Sequence, residues 1–298
     1  MELGELKEKS NRIYFEVMIY WILIILAIIL NKIFFYQNYY LIKYITFPFL
    51  FILIGWCQFS LSNAFHEALH GNFGLNQNNL LACLITAYPI GFTFGYKKVH
   101  LNHHKYFGNP NKDPDFSGYY PFPKSKNILL LRFLRDLSGI SAAKQFFSNN
   151  AIFDNKLRMF KEYFLLIIVQ ILIFYLFLEI YSNIEQGGLF FIILWLFPLM
   201  TIGKFCSNTR LLCEHGSKTG LLTFRTITGS FYETYTLGAF NFNLHAEHHI
   251  KPWIPYTRLK SSINIINGKV DSDLIKYEKY DKGYLNMILK WFKDLPWE

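Results

Sequence analysis

Four stretches of this chain are apolar over a length that fits a lipid bilayer, and nothing else in the sequence constrains the fold as much. They run at roughly 13–30, 44–61, 163–180 and 188–205. About 20 apolar residues in a helix cross the hydrocarbon core, and a helix satisfies its own backbone there. Pro48 and Pro198 fall within spans, a placement membrane helices tolerate. Glu16 and Lys43 lie near span ends, where charges reach the interface. Only 17% of residues are charged and 52% are hydrophobic, against about 25% charged in a soluble chain. The pattern predicts an all-α integral membrane protein: four transmembrane helices in two hairpins, with the remaining helices forming a cap. There is no internal repeat or low-complexity tract, so residues 1–298 read as one domain.

A fifth stretch, 80–96, is short and broken by Pro89, Gly91 and Gly95. It could span weakly, re-enter, or lie in the interface. The histidines decide. All nine lie in clusters that follow the second span, the broken stretch and the last span. If 80–96 crossed fully, the first cluster would face the opposite side from the second. If it does not cross, all nine share one side, because the last two spans form a return hairpin. One metal site needs one side, so 80–96 is expected not to traverse.

Charge orients the same layout. Residues 97–161 are rich in Lys and Arg, whereas the turn between the last two spans carries Glu185 and no basic residue. Positive loops stay in the cytoplasm, so the histidine side and both termini are expected there. The net charge of +9 is scattered; with no basic run it excludes a nucleic-acid reader. It can serve anionic lipid or an acidic partner. The apolar stretch after Arg12 lacks a small-residue cleavage site and reads as an uncleaved first helix. Cys57, Cys83, Cys206 and Cys213 form no CxxC pair and read as apolar packing residues.

The clusters carry the chemistry. His66 and His70, four apart, share one helix face and can bind one metal. The same string matches HExxH, in which Glu67 would be the base of an intramembrane zinc protease. That enzyme needs three protein ligands and leaves most of the histidines without a reason to cluster. A histidine-lined metal transporter is more remote still. His100, His103 and His104 again share a face, and burying three imidazoles as packing costs desolvation. His245, His248 and His249 repeat the HxxHH spacing. His215, a lone histidine after the last span, reads as a ninth ligand beside the other eight. Asp113, Asp115, Glu214, Asn241 and Glu247 are candidates to orient the rings, although Asp-Pro at 113–114 also reads as a simple turn.

Cleaving an unactivated C–H bond needs a high-valent iron oxidant, and two irons share the electrons needed to split O₂. Imidazole suits iron. Soluble di-iron bundles use paired carboxylates with Glu-x-x-His, which this chain lacks; ligand type alone leaves copper and zinc open.

In order and spacing, HxxxH, HxxHH and HxxHH around membrane hairpins resemble the membrane fatty acid desaturase and hydroxylase superfamily. The boxes are His66 and His70; His100, His103 and His104; and His245, His248 and His249. Residues 105–115 resemble the usual continuation of the second box. Pro252, Pro255, Tyr256 and Leu259 resemble the P-x-x-P-Y-x-x-L tail, and His215 resembles the additional ligand. The resemblance covers roughly residues 40–260. It implies four spans with a cytosolic cap carrying the boxes, two iron ions, O₂ as co-substrate, and a membrane lipid or acyl substrate. Front-end desaturases often have Gln where His245 stands, and no haem-binding HPGG is present. Electrons are therefore expected from a separate ferredoxin or cytochrome b5 type donor. Acyl-chain desaturation is the leading expectation, and carotenoid or other lipid hydroxylases and ketolases of the same fold are the alternative. The non-traversing segment is tested by a topology reporter scan: Gln77 and Lys105 should report the same face, and opposite faces would contradict the layout.

Overall fold

The computed structural model describes residues 5–36, 40–147, 151–218, 222–266 and 275–297. Among the described residues, four helices are long and apolar enough to cross a membrane. They are α1 (Arg12–Tyr36), α2 (Tyr40–Leu69), α7 (Lys156–Tyr181) and α8 (Ile184–His215). Their exteriors are apolar: Phe15, Ile22 and Leu26 on α1 and Phe164, Ile167 and Leu172 on α7 are exposed, as lipid-facing residues are. The protein is a membrane protein.

The helices run beyond the apolar windows, and two of them do so for a reason that matters. α2 has 30 residues and α8 has 32. At about 1.5 Å per residue each exceeds 40 Å, whereas the hydrocarbon core is about 30 Å thick. The surplus turns carry His66, Arg210, Glu214 and His215 past the apolar windows on helices already anchored in the bundle, with His70 in the turn directly after α2.

α2 and α8 cross closely. A Cβ on Gly55 would stand 2.6 Å from Ile202 Cβ and 2.8 Å from the Pro198 carbonyl, so only glycine admits this approach. Gln58 donates to the Trp195 carbonyl at 2.9 Å. Around Pro198, α8 contains two π segments, Ile192–Leu196 and Leu199–Gly203, which absorb the missing backbone bond. Tyr181 on α7 donates to Asn31 on α1 at 2.8 Å, joining the two hairpins.

The broken fifth stretch forms α3 (Asn79–Ile90), an apolar helix too short to count as a span. Asn78 caps it by accepting from Leu81 N at 3.0 Å, and Gly91 ends it at φ +79°, a conformation glycine adopts without penalty. Its freed carbonyls are met by side chains of the bundle. Gln170 donates to Tyr88 O (2.7 Å) and Pro89 O (2.9 Å), and Trp21 Nε1 donates to Ile85 O (2.8 Å). Irregular backbone at this depth survives only with such partners.

The cap comprises α4 (Tyr96–Tyr106), α5 (Lys126–Leu137), α6 (Ile140–Phe147), α9 (His245–Ile250), α10 (Tyr256–Ile266) and α11 (Gly283–Asp294). One departure from an all-α chain is a two-stranded parallel pair, β1 (Leu222–Ile227) on β2 (Ile275–Tyr280). β1 reads Leu-Thr-Phe-Arg-Thr-Ile, a β-branched and aromatic run that favours extended backbone.

Candidate metal centre

All nine histidines meet. His66, His70, His100, His104 and His248 present ring nitrogens within 4.8 Å of one another, and His103, His215 and His249 form a second such set. His245 adjoins the second set, its Nε2 lying 2.9 Å from His215 Nε2. The sets touch: the rings of His104 and His249 stack at 4.2 Å.

The HxxHH boxes do not each serve one set. On α4, His100 and His104 face the first set and His103 the second. On α9, His248 faces the first and His245 and His249 the second. In both helices the i, i+4 pair turns one way and the i+3 ring the other, so each box bridges the two sets. α2 supplies the first set alone and the end of α8 the second alone.

The nitrogens are spaced as metal ligands would be, and hydrogen bonds alone do not satisfy them. His100 Nε2 lies 2.7 Å from His70 Nε2 and 3.0 Å from His104 Nε2, and His104 Nε2 lies 3.2 Å from His248 Nε2. One ring nitrogen carries one proton or one lone pair, so it cannot satisfy two neighbours at once. Both nitrogens of His66, and His249 Nε2, are buried without a hydrogen-bond partner among the described residues, at a cost of about 1–3 kcal/mol per group unless something else binds them. Nitrogens about 2.1 Å from one metal and at right angles stand about 3.0 Å apart, and tetrahedral ligands about 3.4 Å apart. The observed spacings average about 3.0 Å, and with five imidazoles in the first set the residues fit a metal that takes more than four ligands.

Electrostatics agree. Burial first, then the neighbouring rings, hold His100, His248 and His249 well below the ordinary imidazole range, and burial together with the Lys97 charge lowers His70 to about 3. These four rings are thus held neutral, with lone pairs free to bind a cation. His103 runs the other way. Burial opposes its protonation, but the Asp113 hydrogen bond and the Asp115 charge outweigh it.

The expected orienting residues divide. Asp113 accepts from His103 Nδ1 at 2.8 Å and is held in turn by Gly108 N (3.1 Å) and Tyr119 OH. Asp115 lies 3.8 Å from His103 Nδ1. Glu214 Oε2 stands 3.4 Å from His245 Nδ1 and 3.5 Å from Arg210 Nε, while its other oxygen accepts from Tyr284 OH at 3.1 Å. Glu247 instead accepts from Thr226 and Tyr277 hydroxyls, tying α9 to the strand pair. Asn241 donates to the Tyr256 carbonyl at 2.8 Å. Neither has a described hydrogen bond to an imidazole.

The sequence hid the partner of His215. Its Nδ1 donates to the Thr223 carbonyl at 3.1 Å, leaving Nε2 for the second set; a backbone acceptor has no side-chain signature. Glu67, the base a zinc protease would use, is buried and accepts from Tyr256 N at 3.0 Å. It anchors the tail motif.

The sequence profile of the fatty acid desaturase family matches residues 42–277. The chain belongs to that family. It is 28% identical over 268 residues to the dihydrorhizobitoxine desaturase of Bradyrhizobium elkanii, covering 82% of this chain and 71% of that protein. It is 27% identical over 218 residues to the sphingolipid delta(4)-desaturase of Schizosaccharomyces pombe, covering 69% of this chain and 57% of the relative. Membership makes this desaturase-like protein an oxidoreductase.

The Asp113–His103 contact yields a direct test. Asp113→Asn removes the charge while keeping the shape, and outer partners of this kind are worth about 10–100-fold in metal affinity. Metal retained per chain after dialysis against a graded chelator should fall by that order; wild-type retention would deny Asp113 its role.

Proposed function

We propose that this protein is an oxygen-dependent di-iron desaturase that introduces a double bond into a fatty acyl chain, with the nine histidines as its iron ligands. The observation that carries the reading is the convergence of nine imidazoles into two touching sets, with Nε2 atoms of the first set 2.7–3.2 Å apart. Bound there, two irons would supply the redox chemistry that reduces O₂ while hydrogen is taken from an unactivated C–H bond. The protein's own part is preorganisation. α2 and α8 hold one end of each set on rigid helices. Asp113 and the Thr223 carbonyl fix which nitrogen of His103 and His215 faces inward. Phe242, whose ring packs on His66 at 4.4 Å, and Phe107, which packs on His215 at 4.7 Å, help keep water from the rings.

Both named relatives are desaturases, which favours dehydrogenation over hydroxylation, and four spans favour a lipid-borne substrate. Electrons would come from a separate ferredoxin or cytochrome b5 type protein. We further place the histidine face and both termini in the cytoplasm, with α3 not traversing, in one membrane domain. The basic 97–161 region and the length of α3 support that layout.

The test is a mass-spectrometric lipid profile of a host that makes ordinary acyl lipids and carotenoids and expresses either the wild type or His248→Ala. The wild type should add a double bond to acyl chains, and the variant should not. An oxygenated carotenoid with unchanged acyl chains would replace this reading with the hydroxylase. An active His248→Ala enzyme would contradict the ligand assignment.

A further inference from the structure

Behind His215 the cap contains a feature that the metal centre does not use. β1, β2 and α11 close around a 220 Å³ cavity, every lining residue of which lies outside the four spanning helices. Phe122, Met287 and Trp291 give it an apolar floor, and Lys218, Arg225 and Lys290 give it positive charge. Arg225 pairs with Glu278 at 2.8 Å and Lys218 with Asp294 at 3.3 Å. Lys290 has no ion pair among the described residues. Lys279 on β2, Lys282 in the turn that follows it and Lys293 on α11 are exposed beside a single exposed acid in that turn, Asp281, and leave this face net positive.

The cavity is one residue from the metal-binding rings. Thr223 lines it, and the Thr223 carbonyl accepts the His215 Nδ1 proton at 3.1 Å. Gly216 also lines it and follows His215 directly in the chain. Arg225 braces this wall by donating to the carbonyls of Cys213 and Gly216. A short, rigid, hydrogen-bonded path thus runs from a water-reachable, cationic surface to the second histidine set.

Desaturation by O₂ leaves an electron deficit that such a path can fill. Forming the double bond takes two hydrogens from the chain, as two protons and two electrons. Reducing O₂ to two waters takes four of each. Two electrons and two protons must therefore come from outside, the protons from water and the electrons from a carrier. Resting on the di-iron reading above, we propose that this cavity is the docking surface for a one-electron carrier protein bearing surface carboxylates. The carrier docks twice per turnover and passes one electron each time through Thr223 to His215. The apolar floor supplies the buried centre of the contact and the lysines its polar rim.

The experiment uses the full-length, iron-loaded protein and the double variant Lys218→Glu/Lys290→Glu. Oxidised protein is mixed in a stopped-flow instrument with pre-reduced plant-type ferredoxin, with pre-reduced cytochrome b5, or with dithionite. Charge reversal should slow reduction by whichever protein donor serves the wild type by roughly tenfold or more, and should flatten the salt dependence of that rate. Dithionite reduction and iron content should stay at wild-type values. If the double variant loses iron, Lys290→Glu alone, which breaks no described ion pair, carries the same expectation. A protein-driven rate unchanged by charge reversal would overturn the proposal. So would a wild type that dithionite reduces and neither donor does. A wild type that holds no iron would instead remove the di-iron reading itself.

Discussion

Buried imidazole nitrogens that face one another need a shared partner, and the rest of this structure follows from that need. Neutral rings packed at 2.7–3.2 Å between Nε2 atoms cannot all be satisfied by protons. Without a cation the cluster would be a concentrated cost. The scaffold can therefore be understood as the means of holding the rings in place until a cation repays their burial. α2 and α8 are longer than the bilayer requires. Their crossing at Gly55 has no room for a side chain, which fixes how the ligands on their ends approach each other.

The two HxxHH boxes show how local helix geometry becomes a layout of two histidine sets. Residues four apart point one way and the residue between them points across. Placing one such helix on each side of the cluster, α4 and α9, stitches the two sets together. α9 is only six residues long and could not stand alone. It is held by the Glu247 hydrogen bonds to Thr226 and Tyr277, which is why a buried carboxylate sits inside a histidine box without touching a ring.

The four spans and all nine histidines were legible in the sequence because each rests on a local pattern: apolar length in one case, residue spacing in the other. Asp113 was legible for the same reason, ten residues from His103 in a turn-forming string. The division of the boxes was not, since it depends on where α4 and α9 lie relative to α2 and α8. Nor was the Thr223 carbonyl, which any residue could supply. The strand pair escaped because its partner strand lies far downstream and parallel pairing leaves no hairpin turn to read. Spacing also put Glu247 and Asn241 among the ring-orienting candidates, but their oxygens and nitrogens point to β1, β2 and α10.

The central claim is that nine histidines make two metal positions, not one. Metal analysis by inductively coupled plasma mass spectrometry, against quantitative amino-acid analysis of the same purified protein, tests it most directly. About two irons per chain is the expected result for a paired site. One zinc per chain would contradict it and return the HExxH string to the protease reading.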